Sequence, residues 1–279
     1  MGHWGAYRDT ARDIARKVWS GTRRFIARDV RVQGPQRPAR DVWTTAVGLA
    51  AKLDCTTVID VGANCGDTIR KFRDAFPNAR IFGIEPDPAI FPALARRYST
   101  DSRVSLHQLA LGEQAAPGVL HQGTSSTISS LFPRNQSGHR YFRSDLVMVN
   151  QIPVALQTLD RFCADQGLGQ INLLKMDTQG GEFGIIQGAQ NLLSRGAIDV
   201  IVTEFFFIPH YEGAPLLNQI WTGLLRHGYH IFDLFQGSYG ADGYGADDQA
   251  RFGDAIFVSP GFRTRFLGSA TCSKPRPTR

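Results

Sequence analysis

Cysteine, methionine and long apolar stretches are all scarce in this 279-residue sequence, which holds four cysteines and three methionines. Cys55, Cys65, Cys163 and Cys272 stand far apart, with no CxxC-type spacing. A zinc ribbon, a paired-thiol redox motif and a disulfide framework are therefore excluded. Scattered thiols fit a reducing compartment, so a cytoplasmic protein is expected. Apolar runs are short, Phe205–Ile208 among them. None approaches the ~18 residues of a membrane-spanning helix. No apolar N-terminal stretch leads to a small-residue cleavage site, so a secretory signal is not expected. The chain is not poor in hydrophobic residues, at 42%. That excludes disorder driven by charge and polarity.

A uniform basic character is lacking too, although the net charge is +6. Residues 1–40 carry ten Lys/Arg against three Asp/Glu, and residues 261–279 carry five against none. The stretch between them holds 16 basic and 22 acidic residues. The body is acidic and the ends are basic. Without a basic stripe along the body, nucleic acid is not an expected partner.

The basic N-terminal region, residues 1–40, reads as a helix and a linker. Trp4, Tyr7, Ala11, Ile14, Val18 and Phe25 recur at helical spacing, flanked by Arg8, Arg12, Arg16, Arg23 and Arg24. Such a helix docks on its own domain, on a second copy in a homo-oligomer, or on anionic lipid as a peripheral membrane contact. Gly34, Pro35 and Pro38 then break it. A second domain is expected over 41–260, followed by a basic tail over 261–279.

Within 41–260 strands and helices alternate. Strands are expected at Thr56–Asp60, Arg80–Ile84, Val104–Gln108, Ile171–Met176 and Val200–Glu204. Two late strands follow at Tyr229–Leu234 and Ala255–Ser259. Helices are expected at Ala46–Leu53, Ile69–Phe76, Ala89–Tyr98, Phe183–Arg195 and Leu216–His227. This alternation implies an α/β fold, a mostly parallel sheet with helices on both faces. The late strands lack a helix between them, which favours an antiparallel pair. Residues 112–151 show no period and are rich in Ser, Gly and Pro. They are expected to form a substrate-covering insertion.

In open α/β sheets, ligands bind beyond the carboxyl ends of the strands. The first of those ends reads Asp60-Val61-Gly62-Ala63-Asn64-Cys65-Gly66-Asp67. Gly62 and Gly66 permit a tight turn, and the following helix opens toward an anion. A dinucleotide site would carry GxGxxG. The spacing here is GxxxG, with Asp60 before it. A carboxylate there suits an ammonium better than a pyrophosphate. Glu85 ends the second strand, where an acid can take both ribose hydroxyls. An amino acid joined to a nucleoside describes S-adenosylmethionine. A nicotinamide oxidoreductase is the competing enzyme, disfavoured by the missing third glycine and by Asp60. A non-catalytic module of the same fold is the other alternative, opposed by the acids at three strand ends.

VIDVGANCGDT, GIEPDP, QLALG, SSL, TLD, LLKMDTQGGEFGIIQGA and VIVTEF occur in this order. Together they resemble the FkbM family of S-adenosylmethionine-dependent methyltransferases, from about Val58 to Phe235. The resemblance implies a class I methyltransferase (Rossmann-like) fold, a seven-stranded sheet whose seventh strand is antiparallel. It also implies O-methylation, of a carbohydrate or glycan or of a secondary-metabolite hydroxyl. By position it implies that Asp60, Gly62, Asn64 and Gly66 form the cofactor loop and that Glu85 is the ribose acid. The turn from Gln108 through Ala110 to Leu111 is where adenine would be held. Asp177 would lie beside the transferred methyl.

A hydroxyl is a poor nucleophile and needs a base or a metal. Asp177 and Glu204 end neighbouring strands and are expected to converge. They would hold Mg²⁺, or one would accept the proton. The cation is the favoured expectation, because two converging carboxylates are costly uncompensated. His210 follows in a loop and ordinarily titrates near neutrality, so it is a second candidate base. Glu182, in the first turn of the next helix, reads as structural, while the resemblance makes it a candidate substrate contact. Ser125, Ser126, Ser129, Ser130, Asn135, His139 and Arg143 are candidate contacts for a polyol.

Overall fold

The computed structural model describes residues 41–135, 147–236 and 250–268. The expected N-terminal helix and linker, His139, Arg143, Cys272 and most of the basic tail lie outside the described residues.

Asp41 opens the described chain by accepting the Thr44 amide at 2.9 Å, which caps helix α1, Val42–Ala50. Strand β1, Thr57–Val61, then enters the sheet, buried from Val58 onward. Helix α2, Asp67–Ala75, returns from it and turns Ile69 and Phe72 inward. Strand β2, Arg80–Ile84, helix α3, Phe91–Arg97, and strand β3, Val104–His107, repeat the unit. After a smaller sheet the alternation resumes. Helix α4, Leu159–Asp165, is followed by strand β7, Ile171–Met176, a continuous buried run typical of a central parallel strand. Helices α5, Glu182–Gln187, and α6, Gln190–Ser194, lead to strand β8, Ile198–Phe206. Helix α7, Leu217–Leu225, precedes strands β9, His230–Gln236, and β10, Phe252–Val258. A short turn, α8, Pro260–Phe262, closes the fold.

The sheet order is β3-β2-β1-β7-β8-β10-β9. β10 is antiparallel to both its neighbours, and the pairings among β3, β2, β1, β7 and β8 are parallel. This is the seven-stranded class I arrangement, with the last strand inserted beside β8 and β9 left at the edge. One apolar face packs on α4 to α7 through Phe162, Ile185, Leu193 and Ile220. The other packs on α1, α2 and α3 through Ala46, Leu49, Phe72 and Leu94.

Three departures from the sequence-based expectations have local causes. Residues 112–151 are not without structure. β5, Ala116–Gly123, and β6, Met148–Gln157, pair antiparallel, and β4, Ala110–Leu111, joins β6 in parallel. The helix expected over Phe183–Arg195 is two helices. Gly188 packs against the Gly112 carbonyl with no room for a side chain, and its own carbonyl accepts the Asp160 amide. Helix α4 was not anticipated; Thr158 caps it by accepting the Arg161 amide at 3.1 Å.

Candidate active site

Side chains alternate across each strand, so one register of the sheet carries one row of residues on a face. Asp60 pairs with Lys175 between β1 and β7, and Glu204 pairs with Asp254 between β8 and β10. Asp177 stands two residues beyond Lys175. On this face the apolar row of Val58, Leu173, Val200 and Val258 gives way to charge near the carboxyl ends of the parallel strands.

The loop after β1 is held from three directions. The Gly62 and Ala63 amides both donate to the Ile84 carbonyl at 3.0 Å. Gly62 sits at φ +76° with its Cα hydrogen against the Asp177 carbonyl, where a Cβ would collide with backbone. Asn64 donates its amide to Glu85 Oε2 at 2.8 Å. Gly66 turns the chain into α2, and Tyr98 donates its hydroxyl to the Gly66 carbonyl at 2.6 Å.

Glu85 is buried and takes two backbone amides, from Asn64 and from Asp87 at 2.9 Å. Each of its oxygens keeps a second lone pair for a ligand. Burial raises its proton affinity, opposed by those amides.

Asp60 departs from its expected role. Its carboxylate is fully buried, and its ammonium partner is Lys175 of this same chain, 2.9 Å away. Lys175 Nζ also donates to the Gly62 carbonyl at 2.8 Å. Burial works against the lysine's charge, but Asp60 and Asp177 outweigh it and keep the ammonium protonated. Asp60 therefore supports the loop from below. Lys175 was missed in the sequence, although one lysine in the apolar run Ile171–Met176 is itself a signal. A buried ammonium needs a carboxylate, and Asp60 lies in an equally apolar strand.

Gln108 is exposed in the turn after β3, while Ala110 and Leu111 are buried in β4 and paired with Leu156 and Gln157. The turn expected to hold adenine is thus half strand. Its neighbour His107 packs edge-on to Phe162, ring centroids 4.9 Å apart.

Asp177 and Glu204 do converge. Gln179 joins them, its Nε2 3.2 Å from Asp177 Oδ1 and 2.6 Å from Glu204 Oε2. The Gln179 carbonyl oxygen accepts from the Tyr211 hydroxyl at 2.8 Å, which fixes the amide's orientation. Burial raises the proton affinity of Glu204 well above the usual carboxylate range, reinforced by Asp177, Glu182 and Asp254. The Mg²⁺ expected for this pair finds no support in this arrangement. An amide donor lies between the carboxylates, and among the described residues no three metal-ligating side chains gather.

His210 is corrected as well. Its ring packs on Phe206, centroids 4.1 Å apart, and burial lowers its pKa to about 3. It does not titrate near neutrality. Glu182 is buried and tied to the loop that precedes its helix. It accepts the Thr178 amide at 2.6 Å, the Thr178 hydroxyl at 2.9 Å and the Gly180 amide at 2.9 Å.

Residues 125–135 cross this site as a strap. Ser126 Oγ meets the Asn64 side-chain amide at 3.1 Å. Ser130 donates to the Gln179 backbone carbonyl at 2.6 Å, and the Asn135 amide donates to the His210 carbonyl at 3.0 Å. Ser125 accepts the Thr127 amide, and Ser129 accepts the Gly123 amide. The hydroxyls expected to greet a polyol thus hold the strap itself.

The methyltransferase FkbM domain profile matches residues 60–231. A Sinorhizobium fredii protein described as 2-O-methyltransferase NoeI is 28% identical over 199 residues, which are 67% of this chain and 79% of that protein. Methyltransferase 1 of Beauveria bassiana is 25% identical over 146 residues, 48% of this chain and 59% of that protein. Among solved structures, methyltransferase FkbM from Methylobacillus flagellatus aligns with 18% identity and a TM-score of 0.46, over 74% of this chain and 44% of its own. This chain thus spans less than half of that larger protein. The profile match sets aside the nicotinamide oxidoreductase. Among the described residues no helix is long and apolar enough to cross a membrane. The matched profile, which covers more than half of the sequence, places the chain in the FkbM family of S-adenosylmethionine-dependent methyltransferases.

Proposed function

We propose that the chain methylates a hydroxyl of a carbohydrate or similarly hydroxylated small molecule, with Glu204 as the proton acceptor. The observation that carries this reading is the Asp177–Glu204 pair at adjacent strand ends, with Glu204 held at raised proton affinity. A base works best when its pKa lies near the working pH, and desolvation moves Glu204 that way. The Sinorhizobium relative's description as a 2-O-methyltransferase supports the choice of oxygen.

The residues present fit S-adenosylmethionine. Glu85 keeps lone pairs toward a ribose, and Gly62 and Asn64 shape a close-fitting loop beside it. When bound, the cofactor supplies an electrophilic methyl on a positively charged sulfur. Asp177, 45% exposed at the end of β7, would offer that charge a carboxylate. The cofactor would give up its methyl to the acceptor oxygen, a C–O bond replacing the C–S bond, and Glu204 would take the hydroxyl proton. Collinear holding of the reactants itself lowers the barrier.

The test uses the full chain, methyl-labelled cofactor and a panel of methyl glycosides, each beside its deoxy analogues. Label should appear in glycosides and vanish when one hydroxyl is removed. Glu204→Gln should cut turnover by ~10²–10⁴, the worth of general-base catalysis. Activity surviving EDTA agrees with proton acceptance. Activity lost on chelation and restored by Mg²⁺ replaces it with a metal mechanism.

A further inference from the structure

Gln179 occupies a backbone conformation that its residue type avoids, at φ +59°. Such strain is retained where the surroundings over-determine it, often at functional sites. Every polar group of this residue that the strain positions has a partner within the site. Its side-chain nitrogen reaches both carboxylates, its side-chain oxygen takes the Tyr211 hydroxyl, and its backbone carbonyl takes Ser130. The Tyr211 hydroxyl also lies 3.1 Å from the Ile128 carbonyl, in the strap.

We propose that Gln179 is a positioning residue for methyl transfer. Its amide clamps Asp177 and Glu204 at one spacing, and Ser130 and Tyr211 tie that clamp to the 125–135 strap. The proposal deepens the role of Glu204 given above and rests on that reading for its catalytic consequence. An amide N–H donated to a carboxylate favours the ionised form. The acidic groups acting on Glu204 are Asp177, Glu182 and Asp254, all of which oppose its ionisation, and the Tyr211 hydroxyl also faces it. Lys175 is the nearby cation. Gln179 is thus the hydrogen-bond donor that moderates a crowded acidic site, and it fixes where the ionised oxygen points.

Removing the donor should make Glu204 harder to ionise. Infrared difference titration of the carboxylic C=O band reads this without any acceptor, the Glu204 band being the one lost in Glu204→Gln. In Gln179→Leu its midpoint should rise by about one pH unit, since a hydrogen bond to a charged group is worth about that much. Tyr211→Phe, which frees the amide to turn, should shift it the same way by less and keeps the test open if Gln179→Leu does not fold. With a methyl glycoside that is turned over, the rising limb of kcat against pH should move with the band. Coincident midpoints in wild type and both variants overturn the proposal. So does a uniform fall in kcat with the rising limb unmoved. If Glu204→Gln keeps full turnover, the base assignment fails, and the infrared comparison still decides the clamp.

Discussion

Lys175 and Asp60 face each other from β7 and β1 with Nζ 2.9 Å from Oδ1, and neither side chain is more than 4% exposed. The pair sits under the loop that follows β1 and shares its ammonium with the Gly62 carbonyl. A charge so placed is tolerable only while its partner remains.

Lys175→Met should therefore destabilise the protein by about 3–5 kcal/mol, the cost of stranding a buried charge. Urea denaturation followed by circular dichroism measures it. The double variant Lys175→Met/Asp60→Asn should be more stable than the single one. A double variant as unstable as the single would show that the pair's role is not electrostatic.

Glu85→Gln should weaken S-adenosylhomocysteine binding by about 1.5–3 kcal/mol, roughly 10- to 150-fold, because charge-assisted bonds become neutral ones. Titration calorimetry reads this directly. Unchanged affinity would remove Glu85 from the ribose site.

Gly62→Ala puts a methyl group against the Asp177 carbonyl at φ +76°. Strain of this kind costs about 1–3 kcal/mol before any collision is counted. A lower melting temperature and weaker S-adenosylhomocysteine binding should appear together, since the same backbone shift causes both.

Asp254, cross-strand from Glu204, has its pKa raised from 3.8 to about 6 by burial, with Asp177 adding to it. The folded protein therefore takes up a proton there more readily than the unfolded chain. That contribution to stability is complete below pH 3.8 and is lost as pH rises through about 6. Asp254→Asn should raise the melting temperature at pH 8 and raise it less at pH 5. Equal gains at both would mean that Asp254 ionises normally.

Much of the site was legible because α/β alternation places function at strand ends. Glu85 and Asp177 directly follow apolar strands, Asp60 and Glu204 stand one and two residues before the ends of theirs, and the topology brings those ends to one rim. The partners of these acids were harder to see. Gln179 has no titratable group, and its importance lies in a backbone angle and three contacts distant in sequence. His210 could be read as a base only while its surroundings were unknown. Phe206 and Tyr211 make it an aromatic packing element. The β5–β6 pair was obscured by Pro117, Gly118 and Pro153, residues that weaken strand signals. β4 meets β6 only at Leu156 and Gln157, so Pro153 lies where β6 has a single neighbour.

One strap touches Asn64, on the loop proposed to hold the cofactor, through Ser126, and Gln179 beside the carboxylates through Ser130. Whatever reorders those eleven residues on one side is felt on the other. Reciprocity then follows as a thermodynamic necessity: if cofactor settles the strap and so favours the acceptor, the acceptor must favour the cofactor by the same factor. The two substrates of this protein would then bind as a cooperative pair, with the order of arrival mattering to rate and not to the final affinity.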